Sequence, residues 1–232
     1  MYNAFMRLIE TKDYWSVKDF FSADIDAGFT KPGLSGQMPQ DIFTALGKKM
    51  PYAWMNQVHG PVIHKVSEEG KYEGDGLFTK EKGFVLVVRT ADCMPILLAS
   101  RCEATESVAG SGDNQIGAVH MGWRSAQTGI LDNLPKDLSK YKVFLGAAMR
   151  KCCFEVGEDF KQYKNFTKYI SQPGGKLRFD PVGFARDNLL KHGVKAQNIY
   201  DCGVCTICSD RGLFSFRRDK TDKRILNFIL AR

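Results

Sequence analysis

Short apolar runs rich in β-branched residues recur along this chain with helical patterns between them, and that alternation restricts its folds more than any other feature. The clearest run, "GFVLVVRTADCMPILLAS" (83–100), reads as two buried strands broken at Thr90–Pro95. Further strand candidates are "AWMNQV", which leads into His59, then "PVIHKV", "QIGAVHMGW", "KVFLGAAM" and "IYDCGVCTI". Apolar residues at helical spacing mark 40–50, 125–140 (interrupted by Pro135), 158–170 and 181–193. The last opens on Asp180–Pro181, a cap followed by a proline at the first helical position, and stops at Gly193. Stretches 27–40, 100–115 and 171–176 are rich in turn formers and read as loops. This alternation predicts the α/β class: a sandwich around one mixed sheet, in a single domain spanning 1–232.

Composition narrows the partners. The chain carries a formal charge of +7, which serves solubility and also favours anionic ligands such as phosphate. Its dense basic runs, "FRRDK" and "DKR", are interrupted by aspartates and no nucleic-acid module is present, so nucleic acid is not an expected partner. No apolar stretch approaches the ~18 residues of a membrane span and no targeting segment is evident, so a cytoplasmic protein is expected. The cysteines number seven, with Cys152 and Cys153 adjacent, and read as reduced thiols or ligands and not as a disulfide framework.

Three chemistry-bearing residues end apolar stretches beside small or turn-forming neighbours: His59 in "NQVHG", Cys93 in "TADC" and His120 in "GAVHMGWRS". In α/β proteins, ligand sites collect where strands end, so residues this far apart in sequence can converge. Two imidazoles and a thiolate suit Zn²⁺ in a tetrahedral site whose fourth position stays open, where bound water ionises near a pKa of roughly 7. Two other readings stand beside this one. The histidines could be core residues bonded to backbone carbonyls around an inert thiol, or Cys93 could be a nucleophile with His120 as its base.

The motifs "NQVHG", "GDGLFT", "RTADCMPILLA", "GAVHMGWR", "CCFEVGEDF" and "CTICSDRGLFSFRRDK", in this order, resemble the YfiH/laccase-domain family of bacterial purine nucleoside phosphorylases, formerly called polyphenol oxidases or multicopper laccases. The resemblance runs from about Trp54 to the C-terminus. It implies a zinc site at His59, Cys93 and His120, and an α/β sandwich shared with a class of cysteine hydrolases. The implied activity is phosphorolysis of adenosine, inosine, guanosine and methylthioadenosine, together with deamination of adenosine. Three segments depart from the family pattern. "ADIDAGFTKPGLSGQMPQ" replaces a glycine-rich turn with its arginine, Ser125 stands where glycine is preferred, and an insertion around 100–113 reads as a surface loop.

Composition also tests the older name. A multicopper oxidase consumes about ten histidines in its copper sites, and this chain has four, so copper is the less favoured metal. Around the proposed zinc, Arg124 is a candidate phosphate clamp or a structural ion pair, and Trp123 either stacks on a purine or belongs to the core. Asp92 reads as structural or as orienting a histidine or the following turn, Asp75 as a turn aspartate or, alternatively, a residue near substrate, and His64 as a solvent-facing strand histidine or a proton shuttle. Cys202, Cys205 and Cys208 form a C-x-x-C-x-x-C run without the fourth cysteine and proline of an iron–sulfur motif, and read as strand thiols. Arg217 and Arg218 are candidates for charge directed at phosphate or for contacts in a homodimer.

Overall fold

The computed structural model describes residues 8–17, 20–34, 38–100 and 115–232; the insertion expected as a surface loop lies almost wholly outside them. The first elements are β1 (Ile9–Glu10), β2 (Tyr14–Ser16), β3 (Ile25–Thr30), α1 (Asp41–Leu46), β4 (Tyr52–Asn56), β5 (Ile63–Lys65), β6 (Gly70–Glu73) and β7 (Gly76–Thr79). The middle of the chain forms β8 (Phe84–Thr90), β9 (Met94–Ser100), β10 (Ile116–Met121), α2 (Trp123–Gln127) and β11 (Tyr141–Leu145). Then come β12 (Ile170–Ser171), β13 (Arg178–Phe179), α3 (Pro181–Lys191), β14 (Ile199–Asp201), α4 (Phe216–Asp219) and β15 (Ile225–Ala231).

The α/β class is as expected, but the strands divide between two large mixed sheets where one was anticipated. The first has the order β1-β2-β3-β15-β8-β4-β6, the second β14-β11-β9-β10-β7-β5, and β12 pairs with β13 apart from both. The division follows from side-chain alternation, since successive residues of a strand face opposite ways. In β8, Leu86 and Val88 enter the core between the sheets, while Val85 and Val87 pack outward with Ile42 of α1. In β9, Leu97 and Ala99 face the inter-sheet core, while Ile96 and Leu98 face Phe184 and Leu189 of α3. Strands apolar on both faces need cover on both, which gives four layers: α1, first sheet, second sheet, then α2 and α3. Phe29 and Phe144 stack across the inter-sheet core with centroids 6.4 Å apart.

Several expected boundaries moved. Residues 27–30, read as loop, belong to β3, where Gly28 lets the Trp15 carbonyl approach: a Cβ there would lie 2.4 Å from that oxygen. The 125–140 pattern yields only α2, because the chain turns at Gly129 with φ +92°. The 158–170 pattern forms two 3₁₀ helices, Glu158–Gln162 and Lys164–Tyr169. At α3 the reading holds: the Asp180 carboxylate accepts from the Gly183 N–H at 2.9 Å, with Pro181 at the start.

Candidate metal centre

The chain passes from the first sheet to the second three times at one end of the sandwich: through 57–62 between β4 and β5, through Gly74–Asp75 between β6 and β7, and through Ala91–Cys93 between β8 and β9. His59 and Cys93 sit in two of these crossings, and His120 lies near the end of β10, paired with Pro95 of β9. Antiparallel pairing of β9 with β10 brings Cys93 beside His120. Strands β4 and β6, parallel to each other and β4 parallel to β8, deliver the other two crossings to the same end.

The three side chains converge. Their donor atoms all lie within 4.8 Å of one another, and the Cys93 sulfur is 3.7 Å from His59 Nε2. The two imidazoles meet edge to face with centroids 4.8 Å apart. Donors bound at ~2.0–2.3 Å to one tetrahedral ion lie roughly 3.3–3.8 Å from each other, so small side-chain adjustments suffice and the nitrogen and sulfur set fits zinc. His120 is buried, whereas His59 and Cys93 are partly exposed, so the centre opens on their side.

Asp75, read from sequence as a turn residue, organises this centre. It is fully buried. Oδ1 accepts from His120 Nδ1 at 2.7 Å and from the His59 N–H at 3.1 Å; Oδ2 accepts from the N–H groups of Gly60 at 2.7 Å and Val58 at 3.2 Å. Its carbonyl also accepts from the His120 N–H at 2.7 Å. The carboxylate therefore occupies Nδ1 of His120 and leaves Nε2 as the free ring nitrogen, the arrangement by which outer carboxylates orient metal-binding histidines. It also gathers the main chain around His59, which adopts φ +59°, a left-handed conformation costly for a residue with a Cβ. Burial would raise the Asp75 carboxyl pKa, but the His120 imidazole and the Gly60 and His59 N–H groups together hold it below the ordinary value.

Cys93 and His120 polarise each other. Burial alone would push the Cys93 thiol up, but the charge on His120 and hydrogen bonds from both histidines bring it down to about 6. Burial would lower His120, yet the Cys93 thiolate and Asp75 raise it to about 9. Without an ion, the pair is a thiolate beside an imidazolium. Gly122 completes the cradle: a Cβ there would fall 2.8 Å from His59 Cδ2 and 3.1 Å from the Cys93 sulfur. Ser125, the departure from the family pattern, is buried and pins this turn, its hydroxyl accepting from the Gly122 N–H at 2.9 Å and donating to the Gly122 carbonyl at 3.0 Å.

The remaining candidates fall into place around this group. Asp92 is not in an extended strand but turns at φ +90°, and it ties the C-terminal segment to the site by accepting from Thr206 Oγ1 and the Arg217 N–H, each at 2.7 Å. Trp123 packs on Phe160 and Tyr163, as a core aromatic does. The exposed Arg124 guanidinium lies 4.6 Å over the Trp123 ring and makes no ion pair among the described residues. His64 lies on β5 with Nε2 at 2.7 Å from the Glu73 carbonyl, outside the metal group. Arg218 is a clamp on the chain, donating to the carbonyls of Thr206, Ile207 and Leu213. A cavity of about 70 Å³ adjoins Cys93, walled by Met94, Trp123, Met149, Phe154 and Phe179. A larger hollow of about 670 Å³ lies between α1 and Trp54 and is lined by none of the three ligands.

Fold and site together define an α/β protein whose two sheets meet around a histidine–cysteine–histidine centre. The family model described as multi-copper polyphenol oxidoreductase laccase matches residues 39–232, and the chain belongs to this family. A purine nucleoside phosphorylase of Aquifex aeolicus is 33% identical over 190 residues, covering 79% of this chain and 84% of that protein. The purine nucleoside phosphorylase YfiH of Escherichia coli is 31% identical over 200 residues, covering 81% and 77%. Among solved structures, Bacillus licheniformis hypothetical protein YfiH superposes with a TM-score of 0.78 at 20% identity over the whole of both chains. YlmD of Geobacillus stearothermophilus gives 0.78 at 24% identity over 98% and 99%. Both share the fold.

Proposed function

We propose that this chain is a zinc-dependent purine nucleoside enzyme of the cytoplasm. It would cleave adenosine, inosine, guanosine and methylthioadenosine with phosphate and would also deaminate adenosine. The observation that carries this reading is the convergence of His59, Cys93 and His120, with His120 held by buried Asp75. The names of the relatives supply the substrate class. Bound there, zinc would supply a Lewis acid and a water ionising near neutrality.

The chain's own groups supply the rest. Arg124, with no ion pair among the described residues, offers a planar fork for phosphate. In phosphorolysis a phosphate oxygen bonds to the ribose anomeric carbon, while the carbon–nitrogen bond to the base breaks and its electrons leave with the purine. The 70 Å³ cavity holds a few waters and not a nucleoside, so the substrate must be received at the open side, beside His59. A multicopper array is disfavoured, because only two of the four histidines join the metal group. Pairing of β15, near the C-terminus, between β3 and β8 supports a single domain over 1–232.

One observation favours a second reading. Cys93, His120 and Asp75 also line up as nucleophile, base and orienting carboxylate, the order of a metal-free cysteine hydrolase. The deciding experiment follows adenosine with and without phosphate, monitoring adenine, inosine and ammonia, before and after chelation. The zinc reading expects turnover that chelation abolishes and zinc restores. Turnover untouched by chelation but ended by thiol alkylation would establish the hydrolase instead, and no turnover by the zinc-loaded protein would remove the purine assignment.

A further inference from the structure

Away from the histidine centre, four other cysteines meet. Cys152 and Cys153 lie in the turn after β11, and Cys205 and Cys208 follow β14. Their sulfurs are all within 4.8 Å of one another, those of Cys152 and Cys208 are 3.6 Å apart, and none is in a disulfide. The C-x-x-C-x-x-C run thus does not act as a unit. Cys202 turns away toward the Arg150 guanidinium, 3.7 Å from its Nη2, and the adjacent pair Cys152–Cys153 takes its place.

We propose that Cys152, Cys153, Cys205 and Cys208 form a second, structural zinc site. Four sulfurs bound tetrahedrally at ~2.3 Å from one ion lie roughly 3.8 Å apart, close to the separations here. Sulfurs gathered within 4.8 Å leave room for one ion and not for an iron–sulfur cube. A complete set of four thiolates keeps no position open for substrate, which makes the site structural and not catalytic.

The backbone is arranged for a thiolate. Cys205 is set beside Ala148 by a parallel bridge, with the Thr206 N–H donating to the Ala148 carbonyl at 3.0 Å. Main-chain N–H groups of Cys208, Arg150 and Ile207 lie toward the Cys205 sulfur and favour its charged form. Such donors stabilise a bound thiolate and orient its lone pairs. Arg218 closes the same turn from outside, donating to the carbonyls of Thr206 and Ile207 at 2.9 Å each, and brings positive charge to a site with excess negative charge. The turn also carries Thr206, whose hydroxyl holds Asp92 beside Cys93. The ion would therefore fix the loop that steadies one wall of the first centre.

Metal stoichiometry tests this. The unaltered protein should carry two zinc per chain by mass spectrometry. His59→Ala/Cys93→Ala should keep one, and Cys152→Ser/Cys208→Ser should keep the other. Cobalt added to chelated His59→Ala/Cys93→Ala should give the intense thiolate-to-cobalt charge-transfer band of a tetrahedral sulfur site. The proposal is overturned if the unaltered protein holds a single zinc that His59→Ala/Cys93→Ala loses. It is equally overturned if all four cysteines react as free thiols or are recovered as disulfides. Should the histidine centre be the one that fails, the pattern inverts: the unaltered protein holds one zinc, which Cys152→Ser/Cys208→Ser loses.

Discussion

Replacing Asp75 by asparagine keeps the side-chain shape and removes the charge and half of the acceptors. In the native protein each carboxylate oxygen takes two donors: His120 Nδ1 and the His59 N–H on Oδ1, the Val58 and Gly60 N–H groups on Oδ2. An amide has one oxygen, so whichever way it is placed, two of these donors face an NH₂ group. A buried donor left unsatisfied costs roughly 1–3 kcal/mol, so two predict a destabilisation of about 2–6 kcal/mol, read as a lower denaturation midpoint of the metal-free protein. Metal affinity should also fall by roughly 10–100-fold, the usual consequence of losing a carboxylate behind a histidine ligand. Chelator competition measures that. Asp75→Asn protein that keeps its denaturation midpoint and binds zinc within twofold of the unaltered chain would refute the organising role of Asp75.

Gly122→Ala should lower zinc affinity at least tenfold while leaving far-ultraviolet circular dichroism unchanged, because the new methyl meets His59 and Cys93. Phe166→Ala should cost about 3–5 kcal/mol in denaturant unfolding, since its fully buried ring touches Phe160, Phe179 and Phe184 with centroids 4.7–5.3 Å away. In chelated protein, alkylation of Cys93 followed by peptide mass spectrometry should stay fast down to pH 7 and fall by half near its pKa of about 6; an ordinary thiol would slow from about 8.5. The linkage signs oppose each other. The His120 contribution to stability is complete below its unfolded value and lost as pH rises through about 9, whereas that of Cys93 is complete at alkaline pH and lost as pH falls through about 6. Stability of the metal-free protein between those limits should therefore vary little with pH on account of this pair.

Much of the site is legible in the sequence because strand ends are. The apolar runs of β8, β9 and β10 announce themselves, and a histidine or cysteine at the end of such a run is conspicuous. Asp75 is not conspicuous: in "GDG" it looks like any turn aspartate, and only the folded chain brings four donors to it. Strand β15, central in the first sheet, is absent from the strand candidates; its "ILNFILA" run is broken by Asn227, whose buried NH₂ group reaches the Val88 carbonyl and Thr90 Oγ1 of β8. A signal for the 3₁₀ helices did exist. Phe160, Tyr163, Phe166 and Tyr169 recur every third residue, the period of a 3₁₀ turn and not of an α-helix. The division into two sheets is harder to read, because a run buried on both faces looks the same whether helices or a second sheet cover it. The four-cysteine group is hidden by distance along the chain, since linear spacing directs attention to Cys202 and the fold recruits Cys152 and Cys153.

The most direct test of the central claim is a crystal structure of the purified protein with anomalous differences collected on both sides of the zinc absorption edge. The account predicts a peak bonded to His59, to His120 through the ring nitrogen not held by Asp75, and to the Cys93 sulfur, at about 2.0–2.3 Å. No peak there, with the three donors kept apart by an ordered thiolate–imidazolium contact, would contradict it.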